Sequence, residues 1–131
     1  MPFEHTWKIY AGDTDYSGRI YTPVVIDYVI MTLQEMRDTV GFSNQRFAKE
    51  SYYPPARNVD IDYLDTIQTD DKLQITVQPE FGTTSVTYNV AGYVADTTVF
   101  EGSLTTVFID KESERPIQIP DEYREAVGSF S

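Results

Sequence analysis

The spacing of apolar positions along the chain switches from two to about three and a half, then back to two. Thr6 to Ala11 alternates around Trp7, Ile9 and Ala11, which predicts a half-buried strand. A polar turn follows, from Gly12 to Gly18. Beyond it Val25, Tyr28, Val29, Leu33, Met36 and Val40 recur at helical spacing, one apolar face over about eighteen residues. Thr22 is placed to cap that helix, Pro23 suits its first position, and Gly41 stands just past its end. The β-branched run Val24-Val25-Ile26 works against an early start.

Tyr52-Tyr53-Pro54-Pro55 reads as loop, and strand periodicity returns after it. Val59, Ile61 and Tyr63 alternate, as do Leu73, Ile75 and Val77, then Val86, Tyr88 and Val90, then Phe100 to Phe108 at every second residue. Turns fall at Phe81-Gly82 and Ala95-Asp96, and strands joined by short turns pair as an antiparallel meander. Pro116 and Pro120 frame a short last strand, and Asp121 to Val127 forms one or two helical turns. With no repeats or linkers, residues 1–131 make one α+β domain. A curved antiparallel sheet of about five or six strands wraps around the one long helix able to cover it. Pattern alone fits other α+β arrangements equally well.

Composition narrows the function. The chain has no cysteine, which excludes disulfides, thiolate metal sites and a Cys nucleophile, and suits a soluble cytoplasmic protein. No stretch approaches the roughly eighteen consecutive apolar residues of a membrane span. Met1-Pro2-Phe3-Glu4-His5 lacks the basic-then-apolar order of a secretory signal. Acidic residues number 21 against 10 basic ones, a net charge of −11. Such a field repels nucleic acid and anionic membranes, so neither is an expected partner. The acids are spread along the chain and Lys occurs only at 8, 49, 72 and 111. That acidic, Lys-poor shell resembles proteins of salt-loving organisms, where screening tames self-repulsion.

One histidine, His5, and scattered carboxylates offer no metal-ligand spacing, so no metal and no cofactor is expected. Neither a Gly-rich phosphate loop nor a G-x-S-x-G elbow is present. A lipocalin-like fatty-acid binder has this length, but it uses about ten strands and no long helix after the first.

The segment Gly12-Asp-Thr-Asp-Tyr-Ser-Gly-Arg-Ile-Tyr21 carries the chemistry. It resembles the D-x-D-x-x-G-x-[VI]-[YFW] signature of the 4-hydroxybenzoyl-CoA thioesterase family, which includes thioesterases associated with bacterial Tol–Pal genes. The resemblance extends to Arg57–Asp65, Asp71–Val77 and Pro120–Arg124 and implies a hotdog fold. An Asp in such a turn commonly only shapes it. The resemblance makes Asp15 the active carboxylate, attacking an acyl-CoA thioester directly or activating water. Asp13 shapes the turn. Gly18 lets the chain turn closely, and the amides of Tyr21 and Thr22 at the helix start are the expected oxyanion donors. Pro23 has no N–H to offer.

Arg57 is a candidate phosphate contact, and Thr84 and Ser85 are candidates to line the thioester site. Arg19 departs from the family, standing where a small aliphatic residue is usual, and Thr22 replaces a frequent His or Tyr. The turn Phe81–Ser85 lacks the basic residues with which some members hold coenzyme A. A protein that binds acyl thioesters without cleaving them, or serves another acyl carrier, is therefore the alternative. Enoyl-CoA hydration would need a His that residues 16–30 lack. The resemblance and the unprotected sheet edge both imply a homodimer or homotetramer, with the site between subunits and Val59 to Asp65 of one facing Asp15 of the other.

Overall fold

A computed structural model describes all residues, 1–131. Five strands form one antiparallel sheet: β1 (Phe3–Lys8), β3 (Ala56–Tyr63), β4 (Lys72–Phe81), β5 (Ser85–Val94) and β6 (Thr97–Val107). Their order is β1-β4-β5-β6-β3. Two-residue strands β2 (Tyr52–Tyr53) and β7 (Ile109–Asp110) pair separately. Helix α1 (Thr22–Thr39) lies on the sheet, with α2 (Asn44–Lys49) and α3 (Asp121–Gly128) at one end. This is the hotdog arrangement that the residues led us to expect.

Register explains the core. Trp7 lies opposite Leu73, Ile75 opposite Gly92, Val77 opposite Val90, Tyr88 opposite Leu104, and Leu104 opposite Val59. Alternate residues of β1, β4, β5 and β6 thus share the face that α1 covers. Val25, Tyr28, Val29, Thr32, Leu33 and Met36 of α1 are buried against it. Full burial of such side chains is worth about 1.5–3 kcal/mol each. At the α2 and α3 end, Tyr123 is fully buried among Phe42, Phe47 and Phe108, its ring edge-on to Phe42 at 5.0 Å and to Phe108 at 4.9 Å. Edge-to-face packing of this kind adds stabilisation beyond the area buried.

Several elements differ from expectation. β1 starts at Phe3, because Phe3 and His5 share the inward face with Trp7, and it ends before Ile9. His5 is therefore half-buried, its ring 4.4 Å from that of Trp7. Tyr21, not Thr22, is the N-cap of α1, and Gly41 closes the helix at φ +86°. Ser43 caps the unforeseen α2 by accepting from the Arg46 N–H. Only β4, β5 and β6 form a meander. β3 crosses to the far edge beside β6, and β1 takes the place next to β4. The stretch framed by Pro116 and Pro120 forms no strand beyond a single bridge from Pro116 to Ile109.

Two features of β3 position the site. It is an outer edge whose side chains are exposed along nearly its whole length, with Val59 38% and Tyr63 46% accessible. It also runs so close to β6 that a Cβ on Gly102 would lie 1.9 Å from the Asp60 carbonyl oxygen.

Candidate active site

The turn before α1 is built by its own polar groups. Ala11–Asp13 forms a short 3-10 turn, and the Thr14 hydroxyl donates to the Ala11 carbonyl at 2.7 Å. The Asp15 N–H donates to the Arg19 carbonyl at 2.8 Å, and the Gly18 N–H to the Asp15 carbonyl at 3.1 Å. That tight loop requires Gly18 at φ +78°, a conformation side chains resist. The Gly18 carbonyl and Ile20 N–H then tie the loop to Thr69 and Ile67, just ahead of β4.

Asp15 is exposed, and its Oδ1 accepts two bonds from Ser17, from the N–H at 2.7 Å and the hydroxyl at 2.5 Å. No side chain holds Oδ2. The Ser17 hydroxyl, then the Ser17 amide, hold the carboxyl below the ordinary aspartate value of 3.8, with smaller contributions from the Arg19 backbone and charge. The Asp-x-Ser spacing was the signal for this clamp, and reading Asp15 alone missed it. Arg19 thus favours the ionised form of the carboxylate beside it.

A lowered pKa fixes the direction of the pH response. If the carboxylate is the working form, activity is lost only as pH falls through that low value. We expect kcat/KM to stay flat from neutral pH through the mildly acidic range, with its acid limb centred below the ordinary aspartate value of 3.8, since kcat/KM reports groups of the free enzyme. An acid limb centred near pH 6.5 would assign the chemistry to another group.

Asp13 has a different task. Its carboxylate accepts from the Tyr28 hydroxyl at 2.5 Å, and its carbonyl accepts from the Tyr21 N–H at 2.8 Å. Burial, then the bond to Asp13, push the Tyr28 phenol well above its ordinary value, so it stays a donor. Tyr28 in turn packs edge-on to Trp7 at 5.6 Å, and the Trp7 indole N–H donates to Thr32. The Thr32 hydroxyl donates to the Tyr28 carbonyl. This corrects the expected role of Tyr21, whose amide is already engaged. The Thr22 N–H, the first of α1, makes no backbone bond.

The expected site residues fall into two groups. Asp15, Gly18, Tyr21 and Thr22 sit at one end of the sheet, where the Tyr63 hydroxyl reaches the Thr22 carbonyl at 3.3 Å. Arg57, Thr84 and Ser85 sit at the other end. Arg57 lies in a bulge between Ala56 and Asn58, opposite Thr106 and Thr105, and Ser85 pairs with Val107. The ten residues of β4 separate the two ends, about 30 Å at strand rise. One chain therefore does not bring Arg57, Thr84 or Ser85 to its own Asp15. No three metal-ligating side chains gather anywhere, and no helix is long and apolar enough to cross a membrane.

Residues 9–127 match the thioesterase-like superfamily. The chain belongs to that superfamily. No curated protein matches the sequence significantly. Among solved structures, a 1,4-dihydroxy-2-naphthoyl-CoA thioesterase from Synechocystis superposes with a TM-score of 0.92 at 14% identity, covering 99% of this chain and 98% of that one. A gentisyl-coenzyme A thioesterase gives 0.85 at 15%, covering 98% and 100%. A Staphylococcus aureus protein solved in complex with CoA gives 0.91 at 12%, covering 99% and 84%. At these identities the likeness is one of fold. The superfamily assignment makes thioester hydrolysis the activity of the class, as the turn at Asp15 led us to expect.

Proposed function

We propose that the chain hydrolyses acyl-CoA thioesters, with Asp15 as nucleophile or as the base that activates water. The observation that carries this reading is an exposed carboxylate, its charged form favoured by two bonds from Ser17, in the turn that leads into an eighteen-residue helix whose first N–H, that of Thr22, is unpaired. Asp15 Oδ2 adds to the thioester carbonyl carbon, giving a mixed anhydride that water opens, or it takes a proton from water as that water adds. In both routes the carbonyl oxygen gains charge, and the Thr22 N–H donates to it with the helix dipole behind it. The C–S bond then breaks, and coenzyme A leaves as a thiolate that takes up a proton.

The second subunit enters through β3. Its outer N–H and C=O groups are unpaired, a row that a second copy can satisfy by antiparallel pairing about a two-fold axis. Such pairing sets the Ala56 end of one β3 against the Tyr63 end of the other. Arg57, Thr84 and Ser85 of each subunit then approach the Asp15 turn of its partner, so that a dimer completes two sites and a tetramer joins two dimers.

Thiol release from a panel of acyl-CoAs tests the reading, run in low and in multimolar salt because the acidic surface suggests salt tolerance. Cleavage of at least one member is expected. If CoA esters bind and none is cleaved, the protein is a binder of acyl thioesters and the hydrolase reading fails.

A further inference from the structure

A cleft of about 160 Å³ opens between the second half of α1 and strands β5 and β6. Ile30, Leu33, Pro54, Ala56 and Leu104 form its apolar walls. A cavity of about 150 Å³ holds a benzene-sized molecule, so the space suits a six-carbon chain or one ring. Part of its lining is polar: Thr106 is 8% exposed, and the Tyr88 hydroxyl, itself bonded to Tyr123, faces it.

Arg37 lines the same cleft, and its Nε is buried without a partner. Its guanidinium stacks on Phe47 at 5.3 Å and donates through one terminal nitrogen to Asn44 at 3.0 Å. No carboxylate lies within ion-pair distance of it, although the chain carries 21 acidic residues. Buried polar groups are normally bonded and buried charges normally paired. Arg37 is half-buried and has no ionic partner, so together with the Thr106 hydroxyl it gives an otherwise largely apolar cleft one cationic, hydrogen-bonding side.

We infer that this cleft holds the acyl part of the thioester and that Arg37 and Thr106 bind a carboxylate at its free end. The inference rests on the thioesterase reading and on antiparallel pairing of β3. Under that pairing the cleft, bounded by Pro54 and Ala56, lies beside the partner's Asp15. From its own Thr22 the cleft is distant: fifteen residues of helix to Arg37 is about 22 Å. The cleft of one subunit therefore serves the carboxylate of the other, and the preferred substrate is the monothioester of a short dicarboxylic acid. A guanidinium can bond a carboxylate through two nitrogens at once, which a terminal methyl group cannot use.

The test compares adipyl-CoA with hexanoyl-CoA, which differ only in the terminal carboxylate. A charged hydrogen bond of ordinary strength predicts that the wild type favours adipyl-CoA in kcat/KM by about tenfold or more. Arg37→Gln is expected to bring the ratio near one by lowering adipyl-CoA more than hexanoyl-CoA, a change of ratio that a general loss of fold or activity does not produce. Arg37→Lys should keep part of the preference, and Thr106→Val should reduce it without removing the charge. If the wild type cleaves hexanoyl-CoA as well as adipyl-CoA, or if Arg37→Gln lowers both alike, the inference is overturned and the thioesterase reading stands. If neither ester is cleaved, binding of the non-hydrolysable thioether analogues decides. Tighter binding of the adipyl analogue, erased by Arg37→Gln, supports the carboxylate site, and equal binding of the two sinks it.

Discussion

Asp15→Asn will fold as the parent does and lose at least about a hundredfold in kcat/KM, near 2.7 kcal/mol of barrier. The substitution is chosen for what it keeps. An amide oxygen can accept the same two bonds from Ser17 that Oδ1 now accepts, so the loop closed by Gly18 has no reason to open. Asp15 is exposed and its replacement leaves no cavity. What disappears is the charge, and with it a second oxygen able to attack or take a proton. Steady-state thiol release on whichever acyl-CoA the wild type cleaves measures the loss, and circular dichroism checks the fold. Retention of most activity would reduce Asp15 to a residue that shapes its turn.

Gly102→Ala is expected to be the most damaging single methyl group in the protein. Its Cβ would meet the Asp60 carbonyl oxygen at 1.9 Å and the Ile61 Cα at 2.9 Å, both backbone atoms of the neighbouring strand. A crowded side chain can rotate aside, but here β3 itself must move. Overpacking a core ordinarily costs about 1–3 kcal/mol, and separating an edge strand adds its ladder of hydrogen bonds, so a loss above about 3 kcal/mol is expected. Urea unfolding measures it. Because β3 is the proposed contact between subunits, the variant should also run smaller in light scattering and lose activity, although Gly102 touches no substrate. A stable variant of unchanged size would show that β3 tolerates displacement and would remove it from the interface.

Reading from sequence worked where one strand or helix declares itself. Leu73, Ile75 and Val77, and Val86, Tyr88 and Val90, alternate because they line one face of a half-buried sheet. The Pro23 to Gly41 span bounds α1 within a residue of its observed ends. Strand order was less legible. β3 carries the same alternation as its neighbours, and nothing in it states that residues 64–71 carry the chain back across the sheet to begin β4, leaving β3 beside β6. Its exposure on both faces was hidden for the same reason.

The candidate site was legible at Asp15 and Gly18, where chemistry is local to one turn. The bond from Tyr28 to Asp13 joins residues fifteen apart and takes the Tyr21 amide out of consideration only once the loop is folded. Arg57, Thr84 and Ser85 were grouped with Asp15 by resemblance, and their distance within one chain is a property of the sheet. Arg37 sat unnoticed on the helix, because a charge on a partly exposed face looks solvated until its surroundings are known.

The contacts of Trp7 give the protein an internal optical reporter. It is the only tryptophan in the chain, and its ring touches Tyr28, whose hydroxyl holds the turn that carries Asp15. A ligand that shifts that turn enough to move the Tyr28 ring changes the surroundings of the single indole, and its emission will follow. Occupancy of the site can thus be watched by fluorescence in unlabelled protein, including with esters that are never cleaved.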